Sequence, residues 1–200
     1  MFDEAFRVRF QPLARPLVRA LAAAGATPNQ ITLATFALAG VAAIVVAAGL
    51  PVIGVGIWLL SRIGDGLDGA LARVTGKTST FGGFLDITLD MAAYSAMVVG
   101  FAWLYPQFTV GWTLVLTGYV LAITTTLALS DAARAAARRV SGTDRTFQFT
   151  PGITEAGETS LAYVVWALWP DHLEWWLAIW VAALAATSLQ RTHLAWRALR

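Results

Sequence analysis

Cysteine is absent from this 200-residue chain, which excludes disulfides and thiolate-held metals while leaving its compartment open. Charge is scarce as well. Asp, Glu, Lys and Arg make up 13% of the residues, about half the share of an ordinary soluble domain. The N-terminal stretch lacks the apolar core and small-residue cleavage site of a secretory signal, and is amphipathic and arginine-rich instead. Apolar sequence fills the gap, at 58% of the chain, with a mean hydropathy of +0.64. Apolar runs of membrane-spanning length recur from end to end, so the composition excludes an ordinary soluble protein and predicts an all-α polytopic membrane protein. A single domain over 1–200 is expected, with membrane lipids around it and no nucleic-acid partner.

Residues 1–24 carry Phe6, Phe10, Leu13, Leu17 and Leu21 at helical spacing, interleaved with Arg7, Arg9, Arg15 and Arg19. Such a juxtamembrane helix suits an anionic membrane surface, or packs on the rest of the bundle. Thr27-Pro28-Asn29-Gln30 then reads as a helix start, with Thr27 as cap and Pro28 in the first turn. Six spans are expected within 31–194: Ile31 to Gly49, Pro51 towards Arg73, Phe84 to Tyr105, Thr109 to Leu129 with helix continuing through Arg139, Thr159 to Trp169, and Leu173 to Leu189. The fifth is short unless Glu155 and Glu158 belong to its first turns. Tyr105, Trp112, Trp166, Trp169, Trp175 and Trp176 read as an interfacial aromatic belt.

The most informative stretch runs from Asp65 to Asp90. It holds Asp65, Asp68, Gly69, Ala72 and Arg73, then Gly82, Asp86 and Asp90. The aspartates pair at i,i+3 and i,i+4, so each pair projects from one face of its helix. Spans two and three are antiparallel neighbours on a short loop, which lets the two pairs face each other at one depth. Four ionised carboxylates so placed repel one another. One or two divalent cations remove the repulsion; mutual hydrogen bonds with Arg62 or Arg73 are the structural alternative. The donors are all oxygen, with no His or Cys nearby, which favours Mg²⁺ or Mn²⁺ over zinc. Two such ions about 3.5–4 Å apart can clamp a diphosphate. Arg73, at the membrane surface, offers a planar fork to phosphate oxygens, and Gly69 and Gly82 leave room for close approach.

The spacing Asp-x2-Asp-Gly-x2-Ala-Arg-x8-Gly-x3-Asp-x3-Asp resembles the signature of the CDP-alcohol phosphatidyltransferase family, with every fixed position present. The amphipathic N-terminal helix, the Thr-Pro-Asn turn and the six spans extend the likeness. The resemblance implies that Asp65, Asp68, Asp86 and Asp90 hold two divalent ions. It implies that Asp90 is the base for the acceptor hydroxyl, and that Asp65, Asp68, Gly69, Ala72, Arg73 and Gly82 form the site for CDP. It further implies a homodimer that attacks the β-phosphate of a CDP-linked lipid with an acceptor alcohol, releasing CMP in phospholipid biosynthesis. Physical chemistry agrees on the base, since a hydroxyl held beside a metal loses its proton more easily and Asp90 lies deepest along its span.

The signature leaves the acceptor open. Arg134, Arg138, Arg139 and Arg145 suit a phosphorylated acceptor or are cytoplasmic anchors. Glu155 and Glu158 suit acceptor hydroxyls or an amino group, or complement a helix dipole. Asp131 is one turn from Arg134 and is expected to pair with it. His172 and His193 have no company that makes a ligand set. Two other readings compete: an intramembrane prenyltransferase, whose aspartate-rich motifs lie far apart in a longer chain, and an ion-coupled transporter, for which a cluster at one membrane face is ill placed.

With six spans starting inside, the external connections fall near Gly49-Pro51, Tyr105-Thr109 and Pro170-Glu174. None contains any of the fourteen basic residues, which predicts cytoplasmic termini and a cytoplasmic aspartate cluster. The cysteine-free chain makes this easy to check. Cysteines at Gln107 and His172 should react with an impermeant thiol reagent from outside intact cells, and one at Thr143 should not. The reverse pattern would invert the topology.

Overall fold

The computed structural model describes residues 14–141 and 154–198, with side chains for 14–132 and 154–197. Phe6, Phe10, Leu13, Arg7, Arg9 and Arg145 lie outside them. All regular structure among the described residues is helical. Helix α1 covers 14–23, followed by α2 (Pro28–Ala47), α3 (Pro51–Thr75), α4 (Thr80–Leu104), α5 (Thr109–Ser141), α6 (Ala156–Leu168) and α7 (Leu173–Ala198). Short 3-10 turns at Pro106–Phe108 and Pro170–His172 bend the chain before α5 and α7.

The helix boundaries follow local chemistry. Thr27 caps α2 in a reciprocal box with Gln30: Gln30 N–H donates to Thr27 Oγ1, and Thr27 N–H donates to Gln30 Oε1 at 2.9 Å. Pro28 opens the helix as expected. Helix α3 stops at Gly76, whose φ of 66° is open to glycine at little cost. Helix α4 starts four residues before the expected Phe84, because Ser79 Oγ accepts from Gly82 N–H at 2.9 Å and caps a start at Thr80. Gly82, Asp86 and Asp90 therefore share one continuous helix. The extension of α5 past Arg139 holds, and α6 does begin with Glu155 as its cap residue.

Among the described residues, four helices are long and apolar enough to cross a membrane: Pro28–Ala47, Thr80–Leu104, Pro106–Ala132 and Pro170–Arg197. The other two expected spans do not qualify. Helix α3 has the length but carries Arg62, Asp65, Asp68 and Arg73 in its second half. Helix α6 has 13 residues, about 20 Å at 1.5 Å per residue, against a hydrocarbon core of about 30 Å. Large apolar side chains such as Ile44, Leu60, Trp103, Val110 and Leu189 are exposed around the bundle, the surface that lipid covers.

Helix α2 packs on both α3 and α4, α5 packs along α7, and α6 lies against α3. Small residues permit the closest approaches. A Cβ on Gly54 would come within 2.8 Å of Ala42 O, and one on Gly100 within 2.5 Å of Ala43 O, so α3 and α4 both ride directly on the α2 backbone. The interior beyond is aromatic: Trp58, Tyr94, Phe101, Trp112, Tyr119, Tyr163 and Trp166 form a continuous edge-to-face and stacked network from α3 to α6. Tyr163 Oη donates to Tyr94 O at 2.9 Å and meets Tyr119 Oη at 3.1 Å. Trp112 and Trp166 thus belong to this core rather than to the expected belt. Trp112 is turned inward by its Nε1–H donation to Tyr105 O, and Trp166 is enclosed by Phe101, Trp112 and Tyr163. Trp169 and Trp175 remain exposed, as a belt requires. On α1, Val18 is buried while Leu17 and both arginines face outward, so the apolar contact is one residue off the expected stripe.

Adding a methyl group at Gly100 pushes α4 off a carbonyl that cannot yield. Gly100→Ala should lower stability by about 1–3 kcal/mol, read as an earlier thermal transition in detergent. Gly40→Ala, whose Cβ meets nothing within 4 Å, is the control. Equal transitions for the two would contradict the close α2–α4 approach.

Candidate active site

The acidic residues arrive from two helices. Asp65 and Asp68 lie on α3, one turn apart, and Asp86 and Asp90 on α4. A carboxylate oxygen from each of Asp65, Asp68 and Asp86 falls within 4.8 Å of the others, the arrangement of a cation site with oxygen ligands. Asp68 is the buried member and is held hardest. Thr32 Oγ1 on α2 donates to its Oδ2 at 2.6 Å, and Gly69 N–H donates to its Oδ1.

Asp90 takes another partner. Arg62 Nη1 lies 2.5 Å from Asp90 Oδ1 and 3.7 Å from Asp65 Oδ2. Of the two arginines available from the sequence, Arg62 enters the cluster, while Arg73 is exposed in the last turn of α3. One guanidinium set among four carboxylates leaves an excess of negative charge that water alone would have to screen. The donor chemistry fits a hard divalent cation.

The motif glycines border the same place, while Ala72 O accepts the capping N–H groups at the end of α3. A Cβ on Gly69 would come within 3.3 Å of Arg73 Nη1, and one on Gly82 within 3.0 Å of Ser79 Oγ and 3.4 Å of Asn29 Oδ1. The motif, the Thr-Pro-Asn turn and the α4 cap therefore meet at one end of α2, α3 and α4. The acceptor candidates are less concentrated. Glu158 accepts from Glu155 N–H at 3.2 Å, so it serves the start of α6. Arg134, Arg138 and Arg139 lie on the last turns of α5 with side chains outside the described set, which also leaves out the expected Asp131–Arg134 pair. Arg191 on α7, not singled out by its sequence context, is within electrostatic reach of Glu155 and donates to Ala122 O at 2.9 Å. His172 is exposed in a 3-10 turn, and His193 stacks on Trp196.

Thr32 is the site residue that pattern reading passes over. Its signal is weak: one hydroxyl in an apolar run, 36 residues before Asp68 and on a different helix. Its role is visible only through the α2–α3 contact.

A helical membrane protein with an oxygen-donor cation site beside an arginine and two glycines is the class these features define. The family model for CDP-alcohol phosphatidyltransferase matches residues 26–187. The chain belongs to that family. It is 33% identical to the inner membrane protein YnjF of Escherichia coli K12, over 96% of this chain and all of that one. It is 31% identical to a phosphatidylinositol phosphate synthase of Mycobacteroides abscessus, over 94% of this chain and 85% of the other. The phosphatidylinositol phosphate synthase of Mycobacterium tuberculosis, solved with manganese and citrate, superposes with a TM-score of 0.66 at 25% identity, covering 90% of this chain and 88% of that one. The same enzyme with CDP-DAG bound shares the fold at a TM-score of 0.67. The protein is accordingly an integral membrane transferase of phospholipid metabolism.

Asp68 sits where loss of charge and loss of orientation can be separated. Asp68→Asn should remove Mn²⁺ binding and turnover in a folded protein, because metal Lewis acidity carries several kcal/mol of such barriers. Thr32→Val keeps the carboxylate but loses its orienting donor, and should cost roughly 10–100-fold in Mn²⁺ affinity or activity. Wild-type behaviour of Thr32→Val would make the Thr32–Asp68 bond incidental.

Proposed function

We propose that the protein transfers a phosphatidyl group from CDP-diacylglycerol to an acceptor alcohol, releasing CMP at the cytoplasmic face of the inner membrane. The observation that carries this reading is the Asp65–Asp68–Asp86 cluster set within an intact eight-position motif. Asp65, Asp68, Asp86 and Asp90 would hold two Mg²⁺ or Mn²⁺ ions. Bound there, divalent metal supplies charge stabilisation to the diphosphate. Arg73 grips the diphosphate oxygens, and Gly69, Ala72 and Gly82 leave room for the cytidine head.

The acceptor hydroxyl attacks the β-phosphorus, its proton passes to Asp90, and the bond to the α-phosphate oxygen breaks to give CMP. Donor identity is supported by the family and by the CDP-DAG held in the M. tuberculosis synthase. The acceptor is a polar alcohol bound between the cytoplasmic ends of α5, α6 and α7, near Glu155, Glu158, Arg134 and Arg138. The names of the mycobacterial relatives favour a phosphorylated polyol. Six helices crossing the membrane, a single domain over 1–200 and a homodimer complete the proposal. The positive-inside distribution supports its orientation.

Purified protein with CDP-diacylglycerol, Mn²⁺ and a panel of alcohols and phosphorylated polyols should release CMP with one of them. Release of inorganic diphosphate from a prenyl donor would favour a prenyltransferase, and cation flux without turnover a transporter. Arg73→Lys keeps the charge but loses the fork. It should weaken donor use by about 1.5–3 kcal/mol, the worth of a charged hydrogen bond, while Arg197→Lys changes little. Unaltered donor kinetics for Arg73→Lys would remove Arg73 from the site.

A further inference from the structure

Arg62 stands outside the eight-position motif and carries a charge into the middle of α3, where apolar surroundings make an unpaired ion costly. Its side chain is 13% exposed. The guanidinium lies 4.5 Å from the centroid of the Trp58 ring and 5.5 Å from that of Tyr94. Trp58 is fully buried, donates Nε1–H to Ser160 Oγ on α6 at 3.1 Å, and meets Tyr94 and Tyr163 edge-on. Ser61 Oγ accepts from Arg62 Nε at 3.4 Å. Packing from α3, α4 and α6 therefore fixes this cation against the cluster. It reaches one carboxylate from each helix, Asp65 on α3 and Asp90 on α4, and is the cation paired with the aspartates among the described residues.

We infer that Arg62 is a positioning residue: the resident counter-charge that holds the four carboxylates together whenever divalent metal is not there to do so. The inference rests on the reading, given above, that Asp65, Asp68, Asp86 and Asp90 all hold metal. Two divalent ions neutralise four carboxylates by themselves, so the guanidinium matters least when both are bound. Without them the α3 and α4 carboxylates repel one another, and Arg62 is the group that bridges the two helices. Arg62 and metal thus stabilise the same arrangement, and each is worth more in the absence of the other. By linkage, a variant without the guanidinium loses stability mainly in the metal-free protein, and it binds metal more tightly. A residue that only packs against Trp58 and Tyr94 would lose the same stability in either condition.

Thermal unfolding of the full chain, purified with Mn²⁺ in detergent and then measured in chelator or at saturating Mn²⁺, reads this directly. Arg62→Gln should unfold roughly 5–10 °C below wild type in chelator, and saturating Mn²⁺ should close most of that gap. Mn²⁺ affinity, followed by loss of the free-ion electron paramagnetic resonance signal, should be roughly tenfold higher in Arg62→Gln than in wild type, from the lost repulsion. Arg62→Lys keeps the charge and should move both readouts back towards wild type. Gly100→Ala, beyond Asp90 on α4, is the packing comparator and should lose the same stability with and without Mn²⁺. A gap for Arg62→Gln of equal size in the two conditions would overturn the inference. So would unchanged or weaker Mn²⁺ binding by that variant. If Asp86→Asn bound Mn²⁺ as wild type does and Mn²⁺ left the wild-type transition unmoved, the metal reading itself would fall, and the inference with it.

Discussion

The constraint on which this structure depends is the free-energy cost of holding four carboxylates together inside an apolar helical bundle. Ionised groups in such surroundings persist only when paired, hydrogen-bonded or bound to a cation. Each aspartate meets that demand differently. Asp68 is satisfied from α2 and from its own backbone by Thr32 and Gly69, and Asp90 is satisfied by Arg62. Asp65 and Asp86 complete a triad that one guanidinium cannot neutralise. The excess charge is what suits the site to a divalent metal.

The rest of the fold supports those positions. Helix α2 is the rail: its small residues let α3 and α4 approach its backbone closely, which helps set the two aspartate pairs side by side. The aromatic network on the other side of α3 and α4 supplies rigidity. It also reaches the chemistry, because Trp58 and Tyr94 are at once core residues and the platform under Arg62. The same charges explain why α3 falls outside the set of apolar, membrane-length helices. A helix that carries the site cannot also be uniformly apolar.

Donor and acceptor recognition divide along the chain. In the proposed function, the motif on α3 and α4 serves metal, diphosphate and proton, and the ends of α5, α6 and α7 distinguish acceptors. The side chains there also serve local structure, as Glu158 does at the start of α6.

The sequence by itself determined the helical membrane class, the location of the site, and the residue types in it. Hydropathy and exact motif spacing are one-dimensional properties, and helix geometry converts spacing into a shared face without further information. The cap at Thr27 was legible for the same reason, since it depends on neighbours within four residues. Only the tertiary structure decided which arginine answers the cluster, that Thr32 holds Asp68, and that Trp112 and Trp166 lie in the core. Those outcomes depend on interhelical distance and on the rotation of each helix about its axis. Both are set by where glycine and alanine let two backbones touch, a relation between residues such as Ala43 and Gly100 far apart in sequence.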